Sequence, residues 1–474
     1  MTIKFFNSLS RSKEIFKPLT DNEVRIYSCG PTVYNFVHIG NLRAYVFVDL
    51  LRRYLKYKGF KIHHVMNITD IDDKIIQNSK ATGKSLNEFT SFYANAFIED
   101  LKKLNIEIPE IMPKATDSIY EMVELVKILK DKGFAYEKNG TWYFKINNFR
   151  DYGALAHINM NEFKTNWDGR LTNEDIYEKD DVRDFALWKA YSAEDKDIFW
   201  NTEIGKGRPG WHLECSAMSI KYLGQPFDIH TGGVDLIFPH HTNEIAQSEA
   251  AFGKKFVNLW LHNEHLLVNG EKMSKSLGNF FTLRDLLAKG HNPKTIRYQL
   301  LSVHYRQQLN FTEEALISMA STLQRIYDFI DRLNNKGDES LSGGNNISPA
   351  MQEAIKQATA EFESCLDDDL NISGALGAMF TFMRTTNKLM DSENIGPDGI
   401  KAAKDLIDCF DGVLGICSRE KDLIPPEIMS MIEERYAAKK TKDFAKADAI
   451  RDRIKSLGFI LEDTPNGTTV KPIS

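Results

Sequence analysis

The chain has 474 residues, 42% hydrophobic and 27% charged, with a formal net charge of −6. At ~100–200 residues per domain this predicts about three or four domains with real apolar cores, and no apolar run approaches the ~18 residues of a membrane span. Met1 to Asn7 lacks an apolar signal region, so a cytoplasmic protein is expected.

The five cysteines, at 29, 215, 365, 409 and 417, include no C-x-x-C pair. An odd number in so long a chain argues against a disulfide framework and leaves metal binding, catalysis or burial.

In chain order, Val24 to Cys29 reads as a strand stopped by Gly30-Pro31. Leu42 to Tyr57 has helical spacing closed by Gly59, and Phe60 to Ile68 resumes as a strand. This β-loop-α-β unit is a building block of a parallel sheet covered by helices. Residues 115–200 are polar with short aromatic segments and read as an insertion. Further buried strands are expected at Phe227–His230 and Phe256–Leu261, which makes the α/β domain a split one. From Thr312 the pattern is long and helical, Asn334 to Pro349 reads as a linker, and Pro425-Pro426 marks another break. Between 435 and 455 the chain carries Arg435, Lys439, Lys440, Lys442, Lys446, Arg451, Arg453 and Lys455 against three aspartates. Alone, that run fits a solvated helix face.

Two segments suit phosphate. His38-Ile39-Gly40-Asn41 lies between the first strand and the first helix, where backbone N–H groups and the helix dipole favour anions. Gly40 would let a nucleotide lie against the backbone, and His38 could donate to its oxygens. Far downstream, Lys272-Met273-Ser274-Lys275-Ser276 places two lysines three apart before Gly278, as in a loop that reaches over a triphosphate.

A metal site is the second candidate. Six of the 12 histidines fall between 212 and 265. His240 and Glu244 stand four apart and share a face if a helix begins after Pro239, with His241 and Glu244 the competing pair. Cys29 and Cys215 offer sulfur, and two sulfurs, an imidazole and a carboxylate suit zinc.

The two phosphate segments resemble the HIGH and KMSKS signatures of class I aminoacyl-tRNA synthetases, with Asn41 in place of the last histidine. Arg208 to Met218, Phe238 to Ser248 and Asn67 to Lys74 are similar to the cysteinyl-tRNA synthetase family, with Thr231 and Thr242 as small departures. The resemblance implies a split Rossmann-like catalytic domain in two halves, 1–115 and 201–265, with a connective insertion at 116–200. It implies a KMSKS and stem-contact region at 266–311, a helical bundle at 312–424 and an anticodon-binding domain at 425–474. In the last, Thr468-Thr469-Val470-Lys471 replaces a common T-x-W-R ending.

Carried over by position, Cys29, Cys215, His240 and Glu244 would bind Zn2+, and Thr69 and Trp211 would line the cysteine pocket. His38, Gly40, Asn41, Lys272, Ser274 and Lys275 would handle ATP and its Mg2+, with His38, Asn41 and the two lysines stabilising charge during reaction. The implied activity is activation of L-cysteine with ATP and its transfer to tRNA-Cys by a monomer. Zinc would select against serine, because shape alone discriminates poorly between near-isosteres while a soft metal prefers a thiolate. Alternatives are a ligase that joins activated cysteine to an amino sugar and a non-catalytic zinc-dependent RNA-binding protein.

Overall fold

Glu23–Ser28 is an inner strand of the parallel sheet, and in the computed structural model it pairs in parallel on both sides. Lys61–Met66 lies on one flank and Phe227–Gly233 on the other, with Val257–Asn263 outermost next to Phe227–Gly233. The structure describes residues 2–158, 183–274, 277–339, 347–392, 395–417, 426–441, 443–457, 459–464 and 467–472.

Successive side chains on a strand face opposite ways, so these strands feed two cores. Ile26, Met66, Ile229, Leu259 and Leu261 enter one core with the first helix, Ile39–Tyr57, and the helical bundle. Tyr27, Val65, Phe227 and Trp260 enter the other, against helices Trp211–Leu223 and Thr242–Phe252. Burial on both faces explains why the strands read as nearly continuous apolar runs.

The segment between the halves forms its own antiparallel sheet of Ala135–Lys138, Thr141–Phe144, Phe185–Ala190, Gly205–Pro209 and Trp200–Thr202, in that spatial order. Its strand Gly205–Pro209 runs past residue 200. Gly-Lys-Gly-Arg-Pro has no apolar alternation to announce a strand, and Gly207 is there for close approach: a Cβ on it would lie 2.1 Å from the Lys189 carbonyl oxygen.

Four helices follow, Glu313–Glu339, Pro349–Asp367, Ile372–Ser392 and Pro397–Leu414. The expected linker at 334–349 is shorter than its composition suggested, since the first of these helices continues to Glu339. The polar end of an amphipathic helix has the composition of a linker. Beyond Pro426 come helices Pro426–Lys440 and Phe444–Ser456, then an antiparallel hairpin of Phe459–Thr464 and Gly467–Pro472. Ile428, Ile450 and Ile454 form a small core there, and Val470 packs against it. Arg435 is buried, which removes it from the basic surface read from the sequence.

Two buried arginines tie the regions together: Arg43 joins the two halves, and Arg297 joins the first half to Leu414 of the helical bundle. Arg43 donates to the carbonyls of Glu264 and His265 at 2.7 Å each. Arg297 donates to Asp49 at 2.6 Å and to the carbonyls of Leu414, Leu104 and Asn105. Among the described residues no helix is long and apolar enough to cross a membrane.

Candidate active site

His38 caps the first helix from an extended conformation, and its Nδ1 accepts from the Asn41 amide at 3.2 Å. With Nδ1 accepting, the ring proton sits on Nε2, which is then a donor. Asn41 is exposed in the first turn. The chain around Thr282 lies against this cap: the Ile39 amide donates to the Phe281 carbonyl at 2.9 Å, and the Phe280 ring meets His38 edge-on. A Cβ on Gly40 would lie 3.0 Å from His38 Cε1 and 3.1 Å from the terminal methyl of Met273. The lysine loop therefore rests directly on the helix start, and glycine is what permits the contact.

Lys272 ends the short strand Glu271–Lys272, paired with Leu266–Val268. Asn279 closes the base of the loop, accepting from the Ser274 amide at 2.7 Å and donating to the Lys272 carbonyl at 3.3 Å. Asn279 was missed in the sequence, where it reads as an ordinary loop residue. Lys275 lies outside the described residues.

The second cluster forms at the carboxyl ends of the parallel strands, where open α/β sheets place ligands. Cys29 directly follows the strand Glu23–Ser28, and its Sγ lies 3.9 Å from Cys215 Sγ on the helix Trp211–Leu223. Ligand atoms of Cys29, His240, His241 and Glu244 all lie within 4.8 Å of one another. Both histidines are therefore close, and the bonding of their Nε2 atoms separates them. His241 Nε2 engages Cys29 Sγ at 3.4 Å. His240 Nε2 and Glu244 Oε1, buried and 3.0 Å apart, face each other as an ion pair outside hydrogen-bond geometry. An imidazole nitrogen and a carboxylate oxygen held this close beside two sulfurs form a donor set that suits zinc.

The charges agree with a cation site. The bond with Cys29, helped by His240 against the effect of burial, brings the Cys215 thiol down to about 6. Cys29 itself is pushed up, first by that bond and then by burial. Burial opposes charge on Glu244, yet His230 and His240 outweigh it and hold the carboxyl at about 2. Burial likewise opposes charge on His240, and Glu244 and Cys215 raise it to about 10.

Further histidines orient the cluster. His230 Nε2 is 3.0 Å from Glu244 Oε2, His262 Nε2 is 2.8 Å from His241 Nδ1, and His212 Nδ1 is 2.9 Å from His240 Nδ1. The crowding of histidines in the sequence was their signal, although their supporting positions were not readable from it. His265 is exposed, outside this set of contacts. The Trp211 ring stacks on His240 at 4.1 Å and 23°, leaving 42% of the residue exposed. Thr69 is buried, and its hydroxyl accepts from Asn67 Nδ2 and donates to Glu214 Oε2, both at 3.1 Å. Of the two family departures, Thr242 closes its hydroxyl on the Ile237 carbonyl at 2.7 Å and Thr231 is buried in its strand.

A family model described as the tRNA synthetases class I (C) catalytic domain matches residues 15–321, and a DALR domain model matches 361–418. The fold agrees: a solved methionyl-tRNA synthetase from Mycobacterium tuberculosis, in complex with methionyl-adenylate, superposes with a TM-score of 0.64 at 16% identity, over 83% of this chain and 92% of that one. Fold and signatures together define a class I tRNA synthetase. The chain is 50% identical over 475 residues to a cysteine–tRNA ligase of Brachyspira hyodysenteriae, covering 99% of both. It is 50% identical over 469 residues to that of Leptospira interrogans serovar copenhageni, covering 98% of both. It belongs to the cysteine–tRNA ligase family.

Proposed function

We propose that the chain activates L-cysteine with ATP, accompanied by Mg2+, and passes the cysteinyl group to the 3′-terminal ribose of tRNA-Cys, with zinc holding the substrate thiol. The observation that carries the metal reading is the buried, closely paired His240 Nε2 and Glu244 Oε1 beside the sulfurs of Cys29 and Cys215. Those four residues would hold the ion. Zinc bound there supplies a soft Lewis acid that favours a thiolate over the hydroxyl of serine.

The chain's own groups do the rest. Trp211 forms a partly exposed wall over His240, and the Thr69 hydroxyl, bonded to Glu214, would receive the substrate amino group. Held in this way, the substrate carboxylate attacks the α-phosphate in line and pyrophosphate leaves, with no side-chain nucleophile needed. His38 donates from Nε2, the Asn41 amide and the helix N-terminus add further donors, and Lys272, Ser274 and Lys275 cover the leaving phosphates. Catalysis is then by positioning and electrostatics. Residues 425–474 would contact the anticodon, with exposed Tyr436 and Phe444 near Lys439, Lys440 and Lys446 as stacking and phosphate groups.

The test is ATP–pyrophosphate exchange with cysteine and with serine, followed by charging of purified tRNA-Cys. Cysteine-dependent exchange and charging are expected. Efficient serine activation by the zinc-loaded enzyme would sink the selectivity reading. Exchange without charging would favour a ligase with another acceptor.

A further inference from the structure

We infer that Glu214 is a positioning residue that sets the hydrogen-bond polarity of Thr69, presenting the threonine hydroxyl as an acceptor to the α-ammonium group of the substrate. The inference rests on the placement of Thr69 in the cysteine pocket proposed above.

A hydroxyl has one proton to give and two lone pairs to receive. In Thr69 the proton goes to Glu214 Oε2 at 3.1 Å, and one lone pair takes the Asn67 Nδ2 proton at 3.1 Å. What is left is a single lone pair. With Oε2 accepting, the hydroxyl is left to receive from a third group. An ammonium group is a pure donor, so the match is to an amine and against a carboxylate oxygen at that point.

The rest of the network holds the hydroxyl still. Asn67 Oδ1 accepts from the Gly30 amide at 2.9 Å, so the same asparagine that feeds Thr69 is fastened to the residue after Cys29. A Cβ on Gly30 would lie 1.6 Å from the Asn67 carbonyl oxygen, which leaves glycine as the residue that fits there. The backbones are also zipped together, with the Val33 amide on the Thr69 carbonyl at 3.0 Å and the Thr69 amide on the Pro31 carbonyl at 3.1 Å. Glu214 itself is buried beside Cys215, one residue away in the chain. An apolar side chain of similar volume would satisfy packing there without the desolvation a carboxyl brings, so folding alone does not account for it.

Binding of two thiols to the zinc-loaded, full-length protein separates this role from a general one. Cysteamine carries the thiol and the amine; 3-mercaptopropionate carries the thiol and the carboxylate but no amine. By calorimetry, E214L is expected to weaken cysteamine about tenfold or more and 3-mercaptopropionate less than about twofold, as for loss of one charge-assisted hydrogen bond. E214Q, which keeps an acceptor oxygen, is expected to restore most of the cysteamine affinity. Thermal melts and bound zinc confirm that each variant is folded and loaded. Equal weakening of both thiols, no weakening of either, or failure of E214Q to restore binding would overturn the role of Glu214. If T69V leaves cysteamine binding unchanged, the placement of Thr69 in the pocket fails instead, and the role of Glu214 falls with it.

Discussion

His240 Nε2 and Glu244 Oε1 lie 3.0 Å apart, buried, one turn from each other, as an ion pair outside hydrogen-bond geometry. Beside them His241 Nε2 is already engaged with Cys29. H240A and C215A are therefore expected to purify with far less than the about one zinc per chain of the parent. H241A, which removes an orienting contact, should keep most of it. Metal analysis by mass spectrometry after dialysis decides the point, and a zinc-free H241A beside a zinc-replete H240A would reverse the assignment.

Asn41 supplies the helix its amide whatever its side chain, whereas His38 supplies both the cap and a ring donor. H38A should lower the rate of pyrophosphate exchange by about 10²–10³-fold, the usual scale for losing one donor to developing charge. N41A should cost less than about tenfold. Comparable losses in the two variants would show that Asn41 does work assigned here to His38.

Gly40 is in contact range of His38 and Met273 at once. In G40A the added methyl must displace one of them, so kcat should fall while the melting temperature changes little. An unchanged kcat would mean that the lysine loop does not rest on the helix start during reaction.

Arg297 and Asp49 are both fully buried and joined at 2.6 Å, with Arg53 on the same carboxylate at 2.8 Å. Removing Arg297 leaves the buried Asp49 carboxylate with Arg53 as its remaining cation and takes a buried donor from the Leu414 and Leu104 carbonyls. R297A should destabilise the chain by about 3–5 kcal/mol in urea unfolding. A loss under about 1 kcal/mol would show that water replaces the guanidinium, as at exposed ion pairs.

Asp100 is buried against Arg284, and burial raises its carboxyl to about 6 although Arg284 pulls the other way. The folded chain thus holds this proton more tightly than the unfolded one. Stability from this group is present at acid pH and is lost as pH rises from about 4 through about 6. D100N removes the dependence, so its melting temperature should exceed that of the parent by more at pH 7.5 than at pH 4.5. A constant difference across that range would show that the carboxyl titrates normally.

Much of the site was legible because certain residues announce their chemistry locally. Lys272 and Ser274 stand within one loop, His38 and Gly40 within one turn, and His240 and Glu244 four apart. The choice between His240 and His241 was not decided by spacing, since both reach Glu244 and both come close to Cys29. Glu214 and Asn279 carried no local mark, and the crowding of the orienting histidines did not reveal which contacts each would make. Their roles come from contacts such as Thr69 with Glu214, which join residues 145 positions apart. The C-terminal hairpin was also missed, because Phe459 to Pro472 lacks strong alternation and gains its order by packing on helix Phe444–Ser456.

The amino-acid sequence by itself determined the class of chemistry: the paired phosphate signatures, the sulfur and nitrogen donors, and the α/β alternation that carries them. Only the tertiary structure decided which donors meet. Cys29 and Cys215 are 186 residues apart in the chain and 3.9 Å apart in space. Parallel pairing is the reason, because it sets the carboxyl ends of Glu23–Ser28 and Phe227–Gly233 side by side and lets the following loops and helices converge on one point.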